Sequence, residues 1–281
     1  MNVAALQMVS TPRVDENLAQ AQALIAQAAQ AGAELVALPE YFCLMGQRDA
    51  DKLAIAEPLA DAFEPDAASS PMQAMLAHAA RDHGVWVIGG TLPLQGPDAT
   101  HVFNSVLVFN PQGQRVARYD KIHLFCFDDG ERRYDESATL VAGQQPVAFE
   151  LTDRAGGTWR IGLSVCYDLR FPELFRQLGK DQPCDLLVLP AAFTHTTGQA
   201  HWELLLRARA VENLCHVMAP AQGGEHENGR RTFGHSMVIG PWGDVLAVQA
   251  EGPGVVMAAL DRGRQNTVRQ QLPALTHRVL G

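Results

Sequence analysis

Apolar positions along the chain alternate between two periods. Val3 to Met8 is a continuous apolar run and reads as a buried strand. From Val14 to Gln30 the apolar residues Leu18, Ala21, Leu24, Ile25 and Ala28 fall on one helical face, in a segment rich in good helix formers, with Gly32 as its stop signal. Glu34 to Leu38 is a short strand that carries Pro39-Glu40 at its C-terminal end. The pattern then repeats: a helix over Pro71–His83, a strand over Val85–Ile88 ending in Gly89-Gly90, and a hairpin of Phe103–Phe109 with Gln114–Tyr119 across Asn110-Pro111-Gln112-Gly113. Further on come a strand over Trp159–Val165, a helix over Pro172–Leu178 opened by its proline, a strand over Asp185–Leu189, a helix over Ala200–Asn213 and extended Cys215–Ala219. Phe233–Ile239, Val245–Gln249 and Gly254–Leu260 read as closing antiparallel strands. Alternating strands and helices with hairpins predict an α/β fold with mixed sheets, and the absence of a linker, repeat or low-complexity stretch predicts a single domain over residues 1–281.

Composition narrows the function classes. The formal net charge is −9 and no long basic run occurs, so nucleic acid and anionic membranes have no electrostatic support as partners. No apolar stretch has the length of a membrane span, and the first residues lack the basic region of a signal peptide. Cys43, Cys126, Cys166, Cys184 and Cys215 make an odd count without a CxxC pair, which suits a reducing cytoplasm. P-loop, GxGxxG, HExxH and paired-cysteine zinc patterns are all absent.

Three strand ends carry reactive groups. After Gly162-Leu163-Ser164-Val165 the chain reaches Cys166 and turns through Tyr167 to Phe171 into the Pro172 helix, a strand–turn–helix setting that can expose a nucleophile and leave backbone N–H groups for an oxyanion. Taken alone, a cysteine there is more often a buried apolar residue. Glu40 stands at the carboxyl edge of a strand, where α/β sheets place functional groups, and Lys121 follows the second strand of the hairpin; each, seen alone, is more often a surface residue. A carboxylate, an ammonium and a thiol at three strand ends fit one acyl-transfer mechanism together.

The segments Leu38-Pro39-Glu40-Tyr41-Phe42, Tyr119-Asp120-Lys121-Ile122-His123-Leu124-Phe125 and Val165-Cys166-Tyr167-Asp168-Leu169-Arg170-Phe171-Pro172-Glu173-Leu174 resemble, in order, the Glu, Lys and Cys motifs of the carbon–nitrogen hydrolase (nitrilase) superfamily. The likeness runs from the first strand to about Arg278. It implies an αββα sandwich that associates as a homodimer or higher oligomer, and hydrolysis of a linear amide without metal or cofactor. It implies Cys166 as nucleophile, Glu40 as general base, Lys121 and the Tyr167 backbone N–H as oxyanion donors, and Glu136 as a second glutamate orienting Lys121, unless Glu136 is a surface acid. The segments Thr197 to Ala210, Ala221-Gln222-Gly223-Gly224, Gly234 to Val238 and Pro241-Trp242-Gly243 resemble the Nit branch. That branch implies a small amide with an acidic acyl group: deaminated glutathione, with 2-oxoglutaramate or another small aliphatic or carbamoyl amide as alternatives. Residues 126–133 depart from the 2-oxoglutaramate-hydrolysing pattern. Arg170 is the matched partner for an acyl carboxylate, or else a helix-capping ion pair; Phe193 and Thr196 are candidates to line the pocket. His226, Arg230 and Arg231 either meet a dipeptide carboxylate or form a solvated loop. Arg207, Arg209 and Glu212 are spaced to pair along one helix, and the other four cysteines are expected to be structural. A non-catalytic scaffold and a thiol redox protein are the alternatives from other classes; intact Glu40, Lys121 and Cys166, and the lack of a nearby resolving cysteine, weigh against them.

Overall fold

The computed structural model describes residues 1–128 and 133–279, so residues 129–132 of the segment 126–133 lie outside the described residues. Two sheets carry the fold. The first has seven strands: Gly254–Ala259, Asn2–Gln7, Leu35–Ala37, Trp86–Ile88, Val102–Phe109 and Leu92–Gln95 in spatial order, with Arg115–Asp120 also paired to Val102–Phe109. The second has six, in the order Val245–Gln249, Ser236–Ile239, His216–Ala219, Leu186–Val188, Thr158–Leu163, Ala148–Thr152.

Side-chain alternation sorts the layers. Val3, Ala5, Leu35 and Ala37 share a buried cluster with Ile161, Leu163, Leu186 and Val188 of the second sheet. Their neighbours Ala4, Leu6 and Val36 instead pack with Ala21, Leu24, Ile25, Met75 and Leu76 of the helices Val14–Gln30 and Pro71–His83. A period of two turns successive residues to opposite faces, so each central strand is apolar on both. The helices Pro172–Leu178 and His195–Asn213 bury Phe175, Leu178, Trp202 and Leu206 with the second sheet. The result is the αββα sandwich with mixed sheets implied by the sequence resemblance.

Each sheet has a parallel centre: Asn2–Gln7, Leu35–Ala37 and Trp86–Ile88 in one, Thr158–Leu163, Leu186–Val188 and His216–Ala219 in the other. Their C-terminal ends converge, because Met8 bridges to Gln222 in parallel and Ala191 to Ala221. Glu40, Cys166 and Ala192 all follow strands that end on this shared edge.

Several boundaries differ from the sequence expectation. The Ala200–Asn213 helix begins at His195, five residues earlier. Phe233–Ile239 is two strands, Arg231–Phe233 and Ser236–Ile239, broken by left-handed Gly234 (φ 69°) and His235 (φ 54°). Gly254–Ala259 is a closing antiparallel strand as expected, paired with Asn2–Gln7 at the edge of the first sheet. The helix Arg262–Gln271 and the strands Leu92–Gln95 and Ala148–Thr152 were not expected.

Candidate active site

The Pro39-Glu40-Tyr41 turn leaves its strand through a left-handed Tyr41 (φ 57°), whose N–H donates to Thr91 Oγ1 at 2.8 Å. Behind it, Gly90 (φ 40°) sits so close that a Cβ there would collide with the Pro39 carbonyl oxygen. This backing turns Glu40 inward, where it is 1% exposed. One Glu40 oxygen, Oε1, accepts from Lys121 Nζ at 2.9 Å and from Asn104 Nδ2 at 3.0 Å; Oε2 accepts from the Ala192 N–H at 2.9 Å.

Lys121 follows the strand Arg115–Asp120 and is also 1% exposed. Its ammonium reaches Glu136 as well, at 2.9 Å to Oε1 and 2.8 Å to Oε2. Glu136 is therefore no surface acid: it further accepts from the Tyr41 hydroxyl at 2.9 Å and the Phe125 N–H at 2.7 Å. Burial lowers the Lys121 pKa, but Glu136 and Glu40 raise it by more together, so it stands well above its ordinary value. Burial raises Glu136, and Lys121 with the Phe125 and Tyr41 hydrogen bonds outweighs it, leaving the carboxyl below its usual range.

Cys166 opens a 3₁₀ turn, Cys166–Arg170, after the strand Thr158–Leu163, and adopts a left-handed φ of 47°. Its N–H donates to the Pro190 carbonyl at 2.9 Å. Burial raises the thiol pKa well above its ordinary value, and Glu40 adds to this by charge and hydrogen bond against the opposing charge of Lys121. The resting group is a buried, protonated thiol beside Glu40, as general-base activation requires.

A narrow cavity of ≈ 30 Å³ opens over the thiol. Glu40, Glu136, Tyr167, Arg170 and Phe193 line it as the sequence suggested, together with Arg230. Arg170 lies 5.3 Å over the Phe193 ring and forms no carboxylate ion pair among the described residues; its Nη1 is 3.3 Å from His201 Nδ1. Three candidates lie outside the cavity. Thr196 is exposed and outside the cavity, which Thr194 and Thr197 line instead, because a helix starting at His195 rotates Thr196 away. His226 is buried, with its ring nitrogens at 2.9 Å from Ser10 O and 2.8 Å from Thr232 Oγ1. Arg231 is exposed and paired with Glu251 at 3.2 Å. Along the His195–Asn213 helix, Arg209 pairs with Glu212 at 2.9 Å, while Arg207 takes Glu203 at 3.3 Å. Cys43, Cys184 and Cys215 are buried, but Cys126 is exposed, and all five cysteines are free. Asn104 and the Ala192 N–H escaped the sequence reading; no local signal marks either.

No helix among the described residues is long and apolar enough to cross a membrane, and no group of three or more His, Cys, Asp or Glu among them could hold a metal ion. The family model for carbon–nitrogen hydrolases matches residues 2–270. A deaminated glutathione amidase of Synechocystis sp. is 44% identical over 279 residues, covering 98% of this chain and 97% of that protein. Among solved structures, the Caenorhabditis elegans NitFhit protein superimposes with a TM-score of 0.87 at 36% identity; the match spans 99% of this chain and 65% of that one. An amidase from Nesterenkonia sp. AN1, carrying the product of Michael addition of acrylamide at its active-site cysteine, gives a TM-score of 0.76 at 26% identity, with coverage of 97% and 98%.

Proposed function

The chain belongs to the carbon–nitrogen hydrolase family, and from that premise we propose that it is a cysteine amidase hydrolysing deaminated glutathione to 2-oxoglutarate and cysteinylglycine through a thioester on Cys166. The observation that carries the mechanism is the buried thiol beside a carboxylate whose oxygens are both held by fixed donors. Glu40 takes the thiol proton as sulfur attacks the amide carbonyl. Negative charge moves to the carbonyl oxygen, where Lys121 and the Tyr167 N–H are the donors; one such donor is worth about 3 kcal/mol. Collapse of the tetrahedral adduct breaks the C–N bond, and Glu40 returns its proton to the leaving amine. Water, deprotonated by Glu40, then attacks the thioester, and the thiol regains its proton as the acid departs. Glu136 holds the ammonium in line throughout.

The substrate half of the proposal draws on the names of the relatives and on the two guanidiniums that line the cavity, Arg170 and Arg230. Arg170 binds the carboxylate of the 2-oxoacyl half and Arg230 that of the departing dipeptide. The narrowness of the cavity favours a second reading, 2-oxoglutaramate, whose acyl-enzyme is identical and whose leaving group is ammonia. The proposal includes a single domain working in the cytoplasm, supported by five free cysteines, and a homodimer or higher oligomer. A depression of ≈ 690 Å³ along the His195–Asn213 helix, with Leu204, Val211 and Trp242 exposed on it, supports the latter.

The test is product formation from deaminated glutathione and 2-oxoglutaramate side by side, with Cys166→Ala as blank. Preference for the first, lost in the variant, supports the proposal. Preference for the second keeps the mechanism and changes the substrate, and turnover that survives Cys166→Ala rejects the thioester route.

A further inference from the structure

Asp168 lies two residues beyond Cys166 and has no part in the chemistry above. It is fully buried, and its carboxylate accepts four hydrogen bonds, two at each oxygen. Oδ2 takes the Tyr119 hydroxyl at 2.7 Å and the Val165 N–H at 2.8 Å; Oδ1 takes the His123 N–H at 3.1 Å and the His123 ring Nδ1 at 2.7 Å. Tyr119 and His123 are the second residues before and after Lys121, and Val165 immediately precedes Cys166. One carboxylate therefore ties both flanks of the ammonium-bearing segment to the residue that leads into the nucleophile.

The surroundings let this knot move little. The His123 ring stacks on Phe171 at 3.7 Å and 5°, so the imidazole is held on the Asp168 side. Tyr119 is fully buried, and burial together with Asp168 pushes its phenol pKa far up, so it stays a donor. Cys166 itself sits at φ 47°, a conformation that a non-glycine residue keeps only where its neighbours over-determine it. A carboxylate needed only to stabilise the cysteine turn would draw its donors from that turn; three of these four come from the Lys121 segment.

We infer that Asp168 is a positioning residue that sets the place of the Lys121 ammonium relative to the Cys166 sulfur, acting through Tyr119 and His123 on one side and Val165 on the other; this rests on the amidase reading above. Asparagine is isosteric, but its one oxygen can satisfy only one pair of donors while its NH₂ faces the other pair. The misfit displaces one element against the other.

The experiment compares Asp168→Asn, and Tyr119→Phe as the variant that removes a single donor, with wild type, each assayed well below its own Tm. Misplacement on the order of 1 Å costs roughly a hundredfold in rate, so kcat should fall about 100-fold in Asp168→Asn and about fivefold in Tyr119→Phe, with KM within about threefold. Iodoacetamide labelling of Cys166, which needs no substrate, should change severalfold in both. Adding Asp168→Asn to Lys121→Ala should cost little more than Lys121→Ala alone, because the residue acts through that ammonium. Wild-type kcat in folded Asp168→Asn, or losses that multiply in the double variant, overturns the inference. Labelling altered in both variants, together with a wild type that turns over neither amide, overturns the substrate reading and leaves the positioning role standing.

Discussion

Lys121→Met tests the electrostatics of the site most directly. The ammonium stands between two carboxylates, 2.9 Å from Glu40 and 2.8 Å from Glu136, with both Lys121 and Glu40 1% exposed. Methionine fills nearly the same volume and removes the charge. Breaking a buried pair by deleting one partner costs about 3–5 kcal/mol, because the other partner is left buried and uncompensated. The cost depends on pH in a defined direction. In the wild type the folded Glu136 carboxyl lies below its ordinary pKa, so its contribution is present above the unfolded value and is lost as pH falls through the folded one. Lys121 lies above its ordinary value, so its contribution is complete through neutral pH and fades only in strong alkali. In the variant, burial of Glu136 is opposed only by the Phe125 and Tyr41 hydrogen bonds; its folded pKa rises above the unfolded one, and stability falls as pH increases. The gap from wild type should then widen by about 1.4 kcal/mol per pH unit while the folded variant keeps a proton that its unfolded chain has lost. Urea unfolding at pH 5, 6, 7 and 8, at one protein concentration, measures it. Lys121→Met/Glu136→Gln should recover part of the loss at pH 8. A single-variant cost below about 1 kcal/mol, or one equal at pH 5 and pH 8, refutes the reasoning.

Three further outcomes follow from the geometry. Arg170→Ala should raise KM for both amides about 10- to 100-fold, the worth of a charge-assisted hydrogen bond, whereas Arg230→Ala should do so for deaminated glutathione alone; equal effects on 2-oxoglutaramate would remove Arg230 from the leaving-group site. Gly90→Ala places a Cβ against the Pro39 carbonyl at a left-handed φ of 40°, which should cost about 1–3 kcal/mol in thermal or urea unfolding and at least a tenfold drop in kcat/KM as Glu40 shifts. Leu204→Lys with Trp242→Lys introduces charge at two apolar side chains that are 68% and 54% exposed, and sedimentation should show the oligomer dissociating; a wild type that is already monomeric would dispose of the association.

How much of this was legible in the sequence follows from what an apolar pattern records. It reports which residues leave water and at what period, so the strand that leads to Glu40 was readable from the apolar run Leu35–Leu38, the strand before Cys166 from the apolar positions within Trp159–Val165, and the hairpin arm before Lys121 from the turn signal Asn110-Pro111-Gln112-Gly113. Three reactive groups after strand ends could be grouped because parallel strands in an α/β sheet place such ends on one edge, and here both sheets do, joined through Met8 and Gln222. The pattern failed where local chemistry opposes the observed state. His195-Thr196-Thr197-Gly198 consists of weak helix formers, so the helix seemed to begin at Ala200 and Thr196 was aimed at the cavity in place of Thr194 and Thr197. Gly234 and His235 both take a left-handed φ and break what reads as a continuous strand. His226 was grouped with Arg230 by proximity in sequence, yet a turn separates an inward ring from a cavity-lining guanidinium.

The partners of the reactive groups leave no apolar pattern, for a different reason. Asn104 meets Glu40 across 64 residues and the Ala192 N–H meets it across 152. A buried asparagine leaves no periodic trace, and a backbone N–H leaves no trace of any kind. The strength of the site nevertheless depends on such groups. With its two oxygens held by Asn104, Lys121 and Ala192, the Glu40 carboxylate has little freedom to rotate, and its reach to the thiol is set before a substrate arrives. Side-chain identity thus nominates the nucleophile and base, while the fold supplies the donors that orient them.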